Sequence, residues 1–286
     1  MKKLFVISAG TPTPTPDRFG TCFVLQLDND FLMFDCGPAA THKLPKAGLF
    51  PTQIEHLFFT HHHFDHNADY PCFLLCRWDQ SDRETPPLHV RGPAPTVEIT
   101  DKLIGENGAF RADLMARTNS PASQAVYANR GGILPRPEPT VDVQDIGFGL
   151  IYDGGRWKIR AATGSHMEPF LRLLVYRVDC EGLSVVFAAD TIPCQPPIDL
   201  AKEADVLVIT CWDHQHVVDR DDVGKAMSGT CDVARIASEA GVKKMVLTHF
   251  CSGFTDPDSL QEARKTIADI YDGEVIFGEE LMVLDL

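Results

Sequence analysis

The segment Thr60-His61-His62-His63-Phe64-Asp65-His66 places four histidines and one carboxylate within six consecutive positions. Neutral imidazole nitrogen suits zinc and similar ions, and a carboxylate can bridge two of them. His61 and His63 are two residues apart at the end of a predicted strand, so both rings project to one side if the chain stays extended. His62 then points away and takes a supporting or packing role. Asp65 and His66 follow where a turn into a helix could aim them at a neighbouring point, so one short segment can feed two metals. His166, Asp190 and His249 each stand just past a predicted strand, and strand ends along one sheet edge form a natural crevice. Any of these three alone reads as an ordinary turn residue; with the histidine run they suit a dinuclear site. Two bound cations lower the pKa of a shared water to about 7 and polarise a substrate oxygen, which is hydrolytic chemistry.

The elements that must position these groups are short apolar, β-branched or aromatic runs bounded by Gly, Pro and Asp. Strands are expected at 4–9, 22–27, 31–35, 56–60, 88–91, 157–162, 171–179, 184–189, 206–210, 244–248, 275–277 and 282–284. Asp28-Asn29-Asp30 and Glu181-Gly182 each turn a pair of strands back on itself. Helical patterns cover 94–104, 230–240 ending at Gly241, and 260–270 capped by Asp258 or Ser259. Hairpins early and intercalated helices later predict sheet layers covered by helices, an α/β (α+β) class. Residues 105–145 carry many glycines and prolines, and read as an irregular, lid-like insert of one domain spanning 1–286.

Composition narrows the partners. With 40 acidic and 26 basic residues the net charge is −14, and no basic run offsets it, which disfavours a phosphate backbone as partner. The apolar N-terminal run is too short for a signal peptide, and no stretch approaches a membrane span. The nine cysteines lack any CxxC pair, as expected of a soluble protein in a reducing, cytoplasmic compartment.

The pattern His-x-His-x-Asp-His, then a single His, a single Asp and a last His, resembles the metallo-β-lactamase superfamily over nearly the whole chain. Ser8-Ala9-Gly10-Thr11-Pro12 with Arg18-Phe19-Gly20 is similar to the opening of its ribonuclease Z and arylsulfatase-like branch. Phe34-Asp35-Cys36-Gly37, Ala188-Ala189-Asp190-Thr191 and Val246-Leu247-Thr248-His249-Phe250 resemble further signatures of that branch. The resemblance implies an αβ/βα sandwich of two mixed sheets flanked by helices. It also implies one metal on His61, His63 and His166, another on Asp65, His66 and His249, Asp190 bridging, and Asp35 orienting ligands. Two Zn²⁺ ions are the implied cofactors, with Mn²⁺ or Fe²⁺ as alternatives.

Departures from the branch steer the substrate reading. Phe64 replaces a glycine, Thr210-Cys211-Trp212-Asp213-His214 stands where ribonuclease Z resembles His-Glu-Ala-Thr, and Met227-Ser228-Gly229-Thr230 stands where it carries His-Ser-Thr. Trp78, Phe110 and Trp212 are candidate substrate contacts, though aromatics are more often core. His214, or else Asp213, is a candidate proton donor beside the catalytic carboxylates Asp65 and Asp190, a structural turn being equally compatible. Segments such as His61-His62-His63-Phe64-Asp65-His66-Asn67, Arg77-Trp78-Asp79-Gln80 and Cys211-Trp212-Asp213 resemble a group around the hydrolytic dehalogenase of chlorinated aromatic nitriles such as chlorothalonil. The expectation is therefore a dinuclear hydrolase of a small, aromatic substrate, with dehalogenation as the lead. Lactone or aryl-ester hydrolysis, a phosphodiesterase or ribonuclease Z-like nuclease, and a non-catalytic metal-binding sensor are the alternatives. The expected partner is a small molecule rather than nucleic acid or membrane, with a homodimer left open.

Overall fold

The computed structural model describes residues 1–82, 85–221, 223–251, 254 and 256–286. Fourteen strands follow in chain order: β1 (Lys2–Ala9), β2 (Thr21–Leu27), β3 (Asp30–Phe34), β4 (His56–Phe58), β5 (Leu88–Gly92), β6 (Val141–Asp145), β7 (Gly149–Asp153), β8 (Trp157–Thr163), β9 (Leu174–Cys180), β10 (Leu183–Phe187), β11 (Val206–Thr210), β12 (Lys244–Thr248), β13 (Glu274–Phe277) and β14 (Met282–Asp285). They form two seven-stranded mixed sheets, ordered β14-β1-β2-β3-β4-β5-β6 and β13-β12-β11-β10-β9-β8-β7. This is the metallo-β-lactamase fold, with helices on the outer face of each sheet, as the motifs implied.

The packing explains why the central strands are apolar on both faces. In β1, Leu4 and Val6 enter the core between the sheets, whereas Phe5 and Ile7 pack outward under helices. The inner core is held by aromatic contacts across the layers: Phe34 of one sheet stacks on Phe187 of the other at 3.8 Å, with Tyr176 and Phe58 alongside. The two expected hairpins form, Leu27 pairing with Asp30 and Cys180 with Leu183. Gly182 takes a positive φ of 69° in the second turn, a conformation glycine adopts without strain.

Parallel neighbours put their C-terminal ends on one edge. In the first sheet β3 and β4 are parallel, and in the second β10, β11 and β12 are. β8 runs with β10 because each is antiparallel to β9. The sheets are tied at this edge by the Leu174 N–H to the Thr60 carbonyl (2.9 Å) and the His249 N–H to the Ala9 carbonyl (3.0 Å).

Three expectations are corrected. Residues 105–145 are not irregular: helices Arg111–Asn119 and Pro121–Asn129 and the edge strand β6 fill most of the stretch. Pro121 starts its helix at the first position, where the missing N–H costs nothing. Arg117, Arg130 and Arg136 converge on Asp79 at 2.8–3.1 Å, which pins the two helices to helix Tyr70–Gln80. The last long helix runs Pro257–Ala268, and its cap is Asp256, whose carboxylate accepts the N–H groups of Asp258 and Ser259. β7 was not expected at all; it is a largely exposed edge strand. Among the described residues no helix is long and apolar enough to cross a membrane.

Candidate metal centre

The shared edge gathers the predicted groups. β4 ends at Phe58, and the chain stays extended to His63, whose φ and ψ are −67° and 149°. The helical turn Phe64–Asn67 then turns Asp65 and His66 inward. His166 follows β8, Asp190 follows β10 and His249 follows β12. Ligand atoms of His61, His63, His166 and Asp190 lie within 4.8 Å of one another, and so do those of Asp65, His66 and His249. Asp190 Oδ2 joins the two groups. It stands 3.8 Å from His61 Nε2 and 3.9 Å from His166 Nε2 on one side. On the other it is 3.3 Å from His66 Nε2 and 3.5 Å from His249 Nε2. His62 turns the opposite way, its Nε2 at 2.8 Å from Thr96 Oγ1 and 3.1 Å from the Pro93 carbonyl.

Buried partners behind the rings fix their tautomers. The His166 Nδ1–H donates to the Ala226 carbonyl at 2.7 Å, which leaves Nε2 with its lone pair facing inward. Asp35 does the same for His66, accepting its Nδ1–H at 2.8 Å. Asp35 also accepts the Thr60 N–H and the Thr60 hydroxyl, each at 2.7 Å. The single Thr60 hydroxyl hydrogen is thus committed, and its oxygen, 3.1 Å from His61 Nδ1, can only accept from that ring. One carboxylate therefore sets the inward-facing nitrogen of a histidine in each group. On the far side, the Thr210 hydroxyl donates to Asp190 Oδ1 at 2.7 Å and aims Oδ2 at the rings.

The backbone is bent to the same end. Asp35, Ala189 and His249 have φ of 60°, 44° and 61°, left-handed conformations that cost a non-glycine residue about 1–2 kcal/mol each. Each lies where a strand must turn sharply into the crevice. Gly37 lets the turn after β3 close on the histidine segment: a Cβ there would lie 2.1 Å from the Asp65 carbonyl oxygen.

These residues fit metal ions. Asp35, Asp65 and Asp190 are all buried, as are His61, His66, His166 and His249. Among the described residues His66 Nε2 and Asp65 Oδ1 have no hydrogen-bond partner, although both are shielded from water, a costly arrangement unless a cation completes it. Burial opposes ionisation of Asp190, yet the charges of His249 and His66 outweigh it and hold its carboxyl well below the usual range. Burial likewise disfavours a proton on His66, but Asp190 and Asp35 raise its pKa well above the usual value.

The other candidates are placed unevenly. The Trp212 ring lies 6.0 Å from that of the ligand-group residue His249. With Thr11, Thr13, Thr15, Arg18, Phe250 and Cys251 it lines a cavity of about 440 Å³. Trp78 is not at the centre. It is buried, donates its indole N–H to the Pro137 carbonyl and carries the Arg136 guanidinium 4.0 Å over its ring. Phe110 precedes helix Arg111–Asn119, its N–H bonded to the Leu103 carbonyl. His214 joins neither ligand group; its Nε2 is 2.8 Å from Ser259 Oγ and its ring lies on Phe254. Asp213 is engaged by the His214 N–H and the Cys251 thiol. Sequence reasoning missed Thr210, Ala226 and Arg18; a threonine ending an apolar strand and a backbone carbonyl carry no recognisable signal.

Comparison with known proteins agrees with this geometry. Residues 15–70 match the family model described as the metallo-beta-lactamase superfamily. The ribonuclease Z of Mycobacterium avium (strain 104) is 28% identical over 98% of this chain and 97% of its own. That of Mycobacterium marinum is 27% identical, with the same coverage. Among solved structures, the metallo-beta-lactamase fold protein YhfI from Bacillus subtilis superposes with a TM-score of 0.73 at 21% identity, covering 99% of this chain and 98% of that one. Human tRNase Z, short form, gives 0.68 at 20% identity with the same coverage, a likeness of fold. With the metallo-β-lactamase fold and a buried His/Asp constellation suited to metal at the strand ends, the chain is a hydrolase similar to members of the metallo-β-lactamase superfamily.

Proposed function

We propose that the protein is a metal-dependent phosphodiesterase, using two metal ions held by His61, His63 and His166 on one side and Asp65, His66 and His249 on the other, with Asp190 between them. The observation that carries this reading is the full-length similarity to ribonuclease Z, a phosphodiester-cleaving enzyme, in a chain that keeps both ligand groups. Dehalogenation finds no counterpart among these relatives, and phosphodiester hydrolysis replaces it as the leading reading.

Bound metals would supply Lewis acidity toward a phosphoryl oxygen and a water activated near neutral pH. The chain's own residues do the rest. Asp190 Oδ2 faces both groups and sets their spacing, while Asp35, Thr60 and the Ala226 carbonyl keep imidazole lone pairs turned inward. Trp212 offers a flat face beside His249 on which a base or aryl group can stack. Among the described residues lining the adjoining cavity Arg18 is the one cation, next to the acid Asp17, and its guanidinium suits a phosphate oxygen.

The cavity volume and the net charge of −14 favour a compact phosphodiester over a long nucleic acid. Cleavage of a tRNA 3′ trailer is the second reading, favoured by the relatives' name alone. The test is a panel of bis-p-nitrophenyl phosphate, cyclic nucleotides, a precursor tRNA, lactones, aryl esters and chlorinated aromatics, each with and without a chelator. Chelator-sensitive cleavage of the phosphodiesters is expected. Turnover confined to lactones, esters or aryl chlorides would overturn the reading, and efficient precursor-tRNA cleavage would move it to RNA.

A further inference from the structure

Past β11 the chain carries two histidines that the metal centre does not use. His214 immediately precedes helix Gln215–Arg220, and His216 lies within its first turn. Their rings are 5.5 Å apart and inclined by 27°. Glu262 stands one turn along helix Pro257–Ala268 from Ser259, the residue whose hydroxyl meets His214 Nε2. One ligand atom from each of His214, His216 and Glu262 lies within 4.8 Å of the other two.

We propose that His214, His216 and Glu262 form a third metal site, taking Zn²⁺ or another divalent ion that favours imidazole, with water completing the shell. Zinc held at about 2.0–2.2 Å in tetrahedral geometry needs ligand atoms roughly 3.3–3.6 Å apart. The remaining gap of about an ångström is within reach of a rotamer adjustment. His216 and Glu262 are both exposed and can make it, whereas His214 is buried against Phe254 and supplies a fixed anchor. Among the described residues no ion pair engages the Glu262 carboxylate. Two imidazoles and a carboxylate are also a donor set that zinc uses readily.

Such an ion would clamp helix Gln215–Arg220 to helix Pro257–Ala268. The first follows the loop that carries Trp212, and the second follows β12 and His249. Zinc bound there would therefore stiffen one wall of the cavity without entering it.

The test compares wild type with His216→Ala, Glu262→Gln and the double variant, all in exposed positions that leave the core untouched. Zn²⁺ is titrated by equilibrium dialysis, and Co²⁺ uptake is followed by its visible ligand-field bands. The wild type should take up one more equivalent than the double variant, and each single change should weaken that equivalent by at least about tenfold. Because the readout is the difference between proteins, it holds whatever the occupancy of the main centre. Equal stoichiometry and superimposable Co²⁺ spectra would overturn the proposal.

Discussion

Asp35→Asn is the sharpest perturbation of the centre, because it replaces one oxygen by NH₂ and removes the charge at almost unchanged volume. The carboxylate accepts three hydrogen bonds, from the Thr60 N–H, the Thr60 hydroxyl and His66 Nδ1–H. An asparagine can accept at only one of the two oxygen positions. If its NH₂ faces His66 and the Thr60 hydroxyl, it donates to both. The hydroxyl then donates to His61 Nδ1, and both rings carry their remaining proton on Nε2, where no metal can bind. If the amide is reversed, its NH₂ opposes the Thr60 backbone N–H, and a buried donor is left unsatisfied at about 1–3 kcal/mol. Loss of a partner behind a metal-bound histidine typically weakens binding about 10–100-fold, or about 1.4–2.8 kcal/mol. Here both metals should weaken, since His61 and His66 belong to different groups. Thr60→Val removes the acceptor behind His61 and one hydrogen bond to Asp35 but leaves the Asp35–His66 contact, so it should weaken one metal more than the other. Competition with a chromophoric chelator measures both affinities, and circular dichroism verifies the fold. Wild-type zinc affinity in folded Asp35→Asn would refute the tautomer argument.

Other perturbations reach different layers. Gly37→Ala pushes a methyl into the Asp65 carbonyl, which should cost about 1–3 kcal/mol in urea unfolding and loosen zinc at the Asp65 group. Trp212→Ala removes the stacking face, worth about 1–3 kcal/mol per base. KM for an aryl phosphodiester should then rise about tenfold with kcat less affected, and an unchanged KM would take Trp212 out of the binding surface. His56, packed against His89, Tyr152 and Trp157, has its pKa pushed down from 6.5 to about 4 by burial and by the charges of His89 and Arg91. The folded protein keeps this ring neutral while the unfolded chain takes up a proton. Stability is therefore intact above about pH 6.5 and falls as pH drops toward about 4, by at most about 3 kcal/mol. His56→Phe should flatten that part of the slope, seen as a gap between variant and wild-type urea midpoints that widens on acidification; parallel curves would contradict it.

The convergence of the candidate ligands at one edge was legible in sequence because much of it is local. His61, His63, Asp65 and His66 occupy one strand-to-helix turn, Asp190 and His249 follow strongly apolar strands, and His166 follows the alternating strand β8. Register did the rest: buried central strands have firm ends, so the residue after each end has a predictable edge. The weak edge strands had no such signal. β7, Gly-Leu-Ile-Tyr-Asp, is largely exposed and shows no apolar–polar alternation, while β6 alternates over only four residues, Val141 to Gln144, too short a run to stand out. The helices of 105–145 were obscured by prolines that begin a helix as readily as they break one. Trp78 shows a different limit. Its ring is committed to Arg136 and Pro137, contacts from 58 and 59 residues away, which no local pattern encodes. His214 was drawn toward the centre by its neighbours in sequence, but its side chain is claimed by Ser259 and Phe254 from the last long helix and the segment before it.

The origin of the ligands gives the centre a mechanical meaning. Residues 1–146 supply His61, His63, Asp65 and His66 on the first sheet, and residues 147–286 supply His166, Asp190 and His249 on the second. Only β14 returns to pair with β1, like a strap across the seam. Each half supplies part of the donor set, so a pair of ions bound there would join the two halves at one edge. Cutting the chain in the turn between β6 and β7 should leave two pieces whose reassociation depends on zinc. In the intact chain, metals held there would add a tie at this edge to the inter-sheet core, so chelation should lower stability, read as a shift of the urea midpoint.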